Sequence, residues 1–183
     1  MGLIILIVVL VLIVGILVAI YNGLVQLRVR ADSAWSDIDV QLKRRHDLIP
    51  NLVETVKGYA AHEKGTFENI AKYRSAAMTA TSTEDRAAAE GQLTQALRGL
   101  LAVAENYPQL RASEEFTALQ GQLSQTEDNI QNSRRYYNAV VRDLNTKIQS
   151  FPTNILAGMF GFKERPFFQV DAPADRENVA VKF

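Results

Sequence analysis

The sequence contains no cysteine, and only two of its 183 residues are histidine. The lack of cysteine excludes thiol catalysis, thiolate metal sites and disulfide bonds. The histidines, His46 and His62, belong to no zinc-binding pattern, and the sequence has neither a GxGxxG nor a GxxxxGK[ST] phosphate loop. The paired Glu-x-x-His motifs of a di-metal bundle are also missing. We therefore expect no cofactor, no metal, no small-molecule substrate and no enzymatic activity.

An excess of charge of either sign is also lacking. Lysine and arginine total 20, as do aspartate and glutamate, so no net field attracts nucleic acid. The basic run 43–45 has no interleaved aromatic residue, and Asp39 and Asp47 lie near it. We interpret His62-Glu63 as a capping or surface pair, because no nucleophile accompanies it. A phosphotransfer role for His46 stays an open alternative without supporting residues.

Polar side chains are absent from the whole stretch between Leu3 and Ile20. As a helix this stretch is about 27 Å long, which matches the hydrocarbon core of a bilayer. Tyr21 and Asn22 follow where an interface anchor belongs. A cleaved signal peptide fits less well, since no basic residue precedes the run and no A-x-A site follows. Arg28 and Arg30 follow the run, so the positive-inside rule predicts an outside N-terminus and a cytoplasmic body.

A helical pattern continues from Leu24 to about residue 61. Trp35, Leu42, Ile49 and Val56 recur every seven residues, with Ile38, Leu52 and Tyr59 beside them, and the phase is kept across Pro50. We therefore predict one kinked helix, with Asn22-Gly23 as its only plausible break.

Two shorter helices are predicted over 64–80 and from Glu84 to about Tyr107, where Pro108 ends the pattern. Thr83 followed by Arg86 lacks the acidic residue of a full capping box. A second long helix opens at the N-cap Ser113. Its apolar residues recur every seven positions along one face of the helix. They are Phe116, Leu123, Ile130, Tyr137, Leu144 and Phe151.

These elements predict an all-α protein, in which an N-terminal transmembrane helix precedes an antiparallel four-helix bundle with two long helices. The expected divisions are an anchor (1–22), the bundle (23–151), an aromatic-rich segment (152–170) and a polar tail (171–183). An antiparallel register predicts that Trp35 lies near Phe151, Asp47 near Arg134 and Lys57 near Glu127. We hypothesise a polar network that selects one bundle arrangement, formed by Asp39, Arg45, Asp47, Lys57, Glu127, Arg134, Asn138 and Asn145.

The aromatic-rich segment returns to the membrane if the long helices are antiparallel. It then lies in the bilayer interface, packs on the bundle as a lid, or meets another subunit. The residues of this predicted interaction segment are Ile155, Leu156, Met159, Phe160, Phe162, Phe167 and Phe168.

Three long runs resemble the LemA family of bacterial membrane-anchored helical proteins. They are IDVQLKRRHDLIPNLVETVKGY (38–59), the stretch from Ser113 to Asn145, and FPTNILAGMFGF (151–162). The resemblance covers about half of the chain and brings no assigned reaction with it. It implies a bacterial membrane protein with an α-helical soluble part.

We expect a non-enzymatic, single-pass protein of the bacterial cytoplasmic (inner) membrane that acts as an oligomeric scaffold with coiled-coil-like seams. Confinement to a membrane raises the effective concentration, so weak lateral contacts suffice for assembly. The alternative is a monomeric, membrane-tethered adaptor that binds a protease or a signalling partner. The expected partners are the lipid bilayer, further copies of the chain and an unidentified protein.

Overall fold

The computed structural model describes residues 1–169, which contain six helices and no strand. The all-α prediction is confirmed. The predicted polar tail, 171–183, lies outside the described residues. In chain order the helices are α1 (Gly2–Lys57), α2 (Lys64–Thr79), α3 (Thr83–Glu105), α4 (Pro108–Arg111), α5 (Glu114–Gln149) and α6 (Thr153–Met159).

Helix α1 is continuous through Pro50, as predicted, and also through Asn22-Gly23. Proline removes one backbone hydrogen bond from a helix, so the surrounding packing must hold the helix together there. Ile49 and Leu52 on either side of Pro50 are both 2% exposed, which shows that the buried face is kept across the proline.

The ends of the helices follow local chemistry. Ser82 caps α3, since its Oγ atom accepts a hydrogen bond from the backbone N–H of Asp85 at 3.0 Å. The sequence-based choice of Thr83 was therefore one residue too late, and Asp85 supplies the acidic partner. Ser113 caps α5 by accepting from the backbone N–H of Phe116 at 3.4 Å. Pro108 opens α4 as its first residue, a position that needs no backbone donor.

The chain divides into two compact units. Unit 1 comprises Met1–Asp39 and Asn132–Pro166, and unit 2 comprises Val40–Gln131 with the chain from Phe167. In unit 2, segments of α1, α2, α3 and α5 share one hydrophobic core and form the predicted four-helix bundle, and the short helix α4 adds Leu110 to this core. The core residues come from α1 (Ile49, Leu52, Val56), α2 (Phe67, Ile70, Ala77), α3 (Leu93, Leu97, Leu100) and α5 (Phe116, Leu123).

Unit 1 is built from α1, α5 and α6. The rings of Trp35 on α1 and Tyr137 on α5 are 5.3 Å apart, and the Lys147 ammonium group lies beside Gly23. These pairs show that α1 and α5 are antiparallel in this unit. Its buried apolar residues are Leu24, Ala31, Ala34, Ile38, Tyr137, Val140, Val141, Leu144, Leu156 and Ala157.

The predicted pairing register is wrong by several turns of helix. Trp35 packs on Tyr137 instead of lying near Phe151, which is 81% exposed because α5 ends at Gln149. Lys57 pairs with Glu54 of its own helix, and Glu127 is bound by Arg45. Tyr59, predicted on the buried face, is 44% exposed because α1 ends at Lys57.

Candidate functional site

The N-terminal part of α1 is an exposed apolar helix. Among residues 1–169, α1 is the one helix that is long and apolar enough to cross a membrane, and no residue of its most apolar stretch is buried. Water does not tolerate an uncovered apolar surface of this size on a soluble protein. This apolar stretch, called the span below (residues 3–20), requires a lipid or protein environment.

A segment without helix, called the strap below (residues 160–166), lies along α1 just after the span. The Phe160 and Phe162 rings contact the Tyr21 ring edge-on, at centroid distances of 4.9 and 5.9 Å. The Arg28 guanidinium carbon lies 5.3 Å from the centre of the Phe162 ring, within range of a cation–π interaction. The first residue of the strap, Phe160, therefore lies against Tyr21, the first residue after the span.

The far end of the strap is bound by polar groups from both long helices. Asn145 on α5 uses its whole amide, because Nδ2 donates to the Arg165 carbonyl at 2.8 Å and Oδ1 accepts from the Arg165 N–H at 2.9 Å. The Tyr137 hydroxyl donates to the Pro166 carbonyl at 3.1 Å. On α1, Asp32 pairs with the Arg165 guanidinium at 2.6 Å. The bonds from Asn145 and Tyr137 satisfy backbone groups of the strap that have no partner in a helix or sheet.

Helix α6 precedes the strap and has two different faces. Thr153, Leu156 and Ala157 are buried. Ile155 and Met159 are 56% and 73% exposed, and this outward face continues through Phe160, which is 57% exposed. The predicted interaction segment is thus divided between a packed face and an uncovered one.

A buried cluster of charged groups lies in unit 2 and is called the charge cluster below. Arg45 on α1 is 1% exposed and forms a buried ion pair with Glu90 on α3. The Arg45 Nη1 atom donates to Glu127 Oε1 on α5 at 2.7 Å and to Thr94 Oγ1 at 2.9 Å. His46 Nε2 lies 2.9 Å from the second oxygen of Glu90. One guanidinium group thereby joins three helical segments.

The neighbouring charges keep Arg45 and Glu90 ionised despite burial. Burial alone lowers the pKa of Arg45, but Glu90 and Glu127 outweigh it, so the pKa is raised. Burial likewise raises the pKa of Glu90, but the adjacent His46 side chain and the positive charge of Arg45 outweigh burial and lower the pKa below its ordinary value of 4.5. The cluster is a set of mutually dependent charges.

Pro50 connects the cluster to the remaining helix, α2. Proline has no N–H, so the carbonyl group four residues earlier, that of His46, loses its usual helical donor. The Arg74 Nε atom on α2 donates to this carbonyl oxygen at 3.0 Å. Pro50 therefore leaves the His46 carbonyl without its helical donor, and this carbonyl is the acceptor to which Arg74 of α2 binds.

The members of the predicted polar network lie in different surroundings. Arg45 and Glu127 are in the charge cluster, and Asn145 binds the strap. Lys57 forms an exposed pair with Glu54. Of the others, Asp39 and Asp47 are exposed, while Arg134 and Asn138 are half-buried.

Glu90, Thr94 and Arg74 were not identified from the sequence. A signal for Glu90 was present, since it lies on the same helical stripe as Leu93 and Leu97 and follows three alanines. An acidic residue on an apolar stripe is a candidate for a buried pair. A signal for Arg74 was absent, because the acceptor it binds is a backbone carbonyl on another helix.

The exposed span, the helical bundle and the aromatic contacts at the span's end define a membrane-associated all-α protein. The LemA family model matches residues 34–183, so the chain belongs to the LemA family.

Among curated relatives, magnetosome protein MamQ 2 of Paramagnetospirillum magneticum is 26% identical over 181 residues. That match covers 85% of this chain and 66% of the relative, just under two thirds of its length. Protein LemA of Metamycoplasma hominis is 28% identical over 149 residues, covering 81% of this chain and 68% of the relative.

Proposed function

We propose that this protein is a non-enzymatic, single-pass membrane protein that forms an oligomeric helical scaffold in the bacterial cytoplasmic membrane. The observation that carries the proposal is the exposure of the apolar span, none of which is buried in the protein and all of which a bilayer can cover. An anchored chain is confined to two dimensions, where weak lateral contacts produce assemblies. The N-terminus lies outside and the helical body in the cytoplasm, according to the basic residues that follow the span.

The placement of charged residues supports a structural role over a catalytic one. Catalytic acids and bases must reach a substrate. Arg45, His46 and Glu90 are instead at most 5% exposed and bound to one another. Such an arrangement fixes the pairing of helices, which is the property that a building block of an assembly needs.

A monomeric, membrane-tethered adaptor for a protease or signalling partner is the second candidate. The observation in its favour is an open groove between α1 and α5 of unit 2, with a mixed polar and apolar lining. Its residues are Asn51, Glu54, Thr55, Glu115, Ala118, Leu119 and Gln122.

The mass of the full chain in nanodiscs and in mild detergent distinguishes the two candidates. The scaffold predicts rings or other large particles, and a single species of one chain contradicts it. Large particles formed without any other protein contradict the monomeric adaptor.

Membrane topology is tested with single cysteines, since the natural chain has none. A membrane-impermeant maleimide should label a Gly2→Cys variant in intact cells, and a Lys72→Cys variant only after lysis. Lys72 is an exposed residue of α2 and is therefore a suitable reporter. The reverse labelling pattern contradicts the proposed orientation.

A further inference from the structure

The outward face of α6 is adjacent to the end of the span. Phe160 follows α6 directly and contacts Tyr21, which is the first residue after the apolar run. If the span crosses the bilayer, Tyr21 lies at the level of the lipid headgroups, where tyrosine is enriched. The contact at 4.9 Å places the C-terminal end of α6 at the same depth.

The uncovered side chains of this region are those of a helix that lies in a membrane interface. Ile155, Met159 and Phe160 are each more than half exposed, and Phe151 is 81% exposed. The opposite face of α6 is buried, so the orientation of the helix is determined by the protein core. Burial of such apolar groups at the boundary of headgroups and acyl chains is favourable.

Basic side chains surround the same place. Lys147 lies beside Gly23, Arg28 stacks on Phe162, and Lys163 is exposed next to it. The exposed Glu164 is the next residue, while Asp32 is occupied by Arg165. Cations just outside an apolar surface bind the phosphate groups of lipids, and anionic lipids most strongly.

We propose that the outward face of α6 (Ile155, Met159 and Phe160, together with Phe151) inserts into the bilayer interface beside the span, with Arg28, Lys147 and Lys163 at the lipid phosphates. The inference rests on the proposed membrane anchoring and adds a second, peripheral contact to it. A protein attached by the span alone can rotate about the long axis of the span. A second attachment at α6 restricts this rotation.

Spin labels at single cysteines test this arrangement in nanodiscs of the full chain. The label at Met159→Cys is compared with Tyr136→Cys, a 54% exposed site of the same unit next to the residue that packs on Trp35. Trp35 lies about 21 Å along α1 from Tyr21, which places the control well away from the proposed interface. Leu12→Cys reports on the span itself. Oxygen, which partitions into lipid, and a water-soluble nickel chelate are the two relaxing agents.

We expect the ratio of oxygen to nickel accessibility at Met159→Cys to exceed that at Tyr136→Cys severalfold and to approach that at Leu12→Cys. Equal ratios at the two surface sites, with a high ratio at Leu12→Cys, overturn the inference and leave the anchor intact. A low ratio at Leu12→Cys contradicts the anchor itself. A label at Met159→Cys that neither agent reaches indicates contact with another protein copy and also overturns the inference.

The role of the cations is tested by lipid composition. The accessibility ratio at Met159→Cys should be higher in nanodiscs with anionic lipid than in purely zwitterionic ones. Lys147→Gln combined with Lys163→Gln should reduce this difference, since Arg28 is the one assigned cation that remains. A ratio that does not depend on lipid charge overturns the assignment of the cations to lipid phosphates.

Discussion

Units 1 and 2 hold the same two helices, α1 and α5, by different means. In unit 1 the helices are joined by the contact of Trp35 with Tyr137 and by a strap whose backbone is bound by α5 and whose Arg165 side chain is bound by α1. In unit 2 they are joined by Arg45 and two carboxylates inside a four-helix core. The polar contacts between the two helices are mainly hydrogen bonds to the strap in the first unit and a buried ionic cluster in the second.

The difference shows what determines the register of helix pairing in each unit. Apolar stripes that repeat every seven residues allow helices to slide by one repeat without exposing the core. A buried charge opposes such sliding, because it loses its partners when the register changes. The strap achieves the same in unit 1 through one asparagine, whose two hydrogen bonds match one backbone position only.

Removal of Arg45 should have the largest effect. Arg45→Met leaves Glu90 buried beside an apolar side chain, and breaking a buried ion pair costs about 3–5 kcal/mol. Urea unfolding of the full chain in mild detergent, followed by circular dichroism, gives the free energy. The exposed neighbour provides the control, since Arg44→Met should change stability by less than about 0.5 kcal/mol. Equal effects of the two variants contradict the importance of the charge cluster.

Loss of Asn145 should weaken unit 1 less strongly. Asn145→Ala removes both hydrogen bonds to Arg165 and leaves buried groups unsatisfied, at a cost of about 1–3 kcal/mol. The strap should also be cleaved faster by trypsin after Lys163, which mass spectrometry detects; Arg165 is followed by Pro166 and is not a tryptic site. Asn132→Ala, at an exposed position of the same helix, is the matched control. An unchanged cleavage rate in Asn145→Ala contradicts the role of Asn145 in holding the strap.

Arg74 and Pro50 should be energetically coupled. Pro50→Ala returns a backbone N–H to the His46 carbonyl, so Arg74 is no longer its necessary donor. Arg74→Ala should therefore cost more free energy of unfolding in the natural chain than in a chain that already carries Pro50→Ala. The coupling energy from the double-mutant cycle should be about 1 kcal/mol. Additive effects refute the link between the proline and α2. Lys72→Ala, an exposed site on α2, should show no coupling.

Acid should weaken the charge cluster through Glu90. Its pKa is lowered in the folded state, so its ionised form adds stability above its ordinary pKa of 4.5. This contribution is lost as the pH falls from 4.5 through the folded-state pKa. Urea titrations at several pH values give the free energy of unfolding as a function of pH. Glu90→Gln should reduce the slope of this curve below pH 4.5 by at most about 1.4 kcal/mol per pH unit. Glu68→Gln on the surface of α2 is the control, and the same flattening there contradicts the assignment.

The exposed pair Lys57–Glu54 should matter least. Both side chains are in water, at 44% and 71% exposure, so solvent screens their attraction. Lys57→Ala should change the free energy of unfolding by less than about 0.5 kcal/mol. A loss as large as that in Arg45→Met contradicts the contrast between buried and exposed ion pairs.

Helix positions could be predicted because they depend on local periodicity. The stripes correctly identified the burial of Leu42, Ile49, Leu123 and Ile130 and the continuation of α1 through Pro50. The short helix α6 was not predicted as a helix, since its few residues show no complete repeat.

The register could not be predicted from these stripes, because heptad repeats look alike after a shift of seven residues. The deciding contacts of Arg45 and Asn145 involve Glu90 and the Arg165 backbone, which are distant in sequence. A carbonyl freed by proline, as at His46, has no side-chain signature at all. The candidate site was therefore recognised only in part.

The contact between Tyr21 and Phe160 also has a consequence for biosynthesis. The two residues are separated by about 140 positions, which a ribosome needs about 7 to 28 s to translate at 5–20 residues per second. In the proposed single-pass arrangement, the apolar span is synthesised before its aromatic counterpart and reaches the insertion machinery long before that counterpart exists. On this proposal a nascent chain is tethered early and forms the Tyr21–Phe160 contact late, so translation arrested before Phe160 leaves an inserted but unfinished protein.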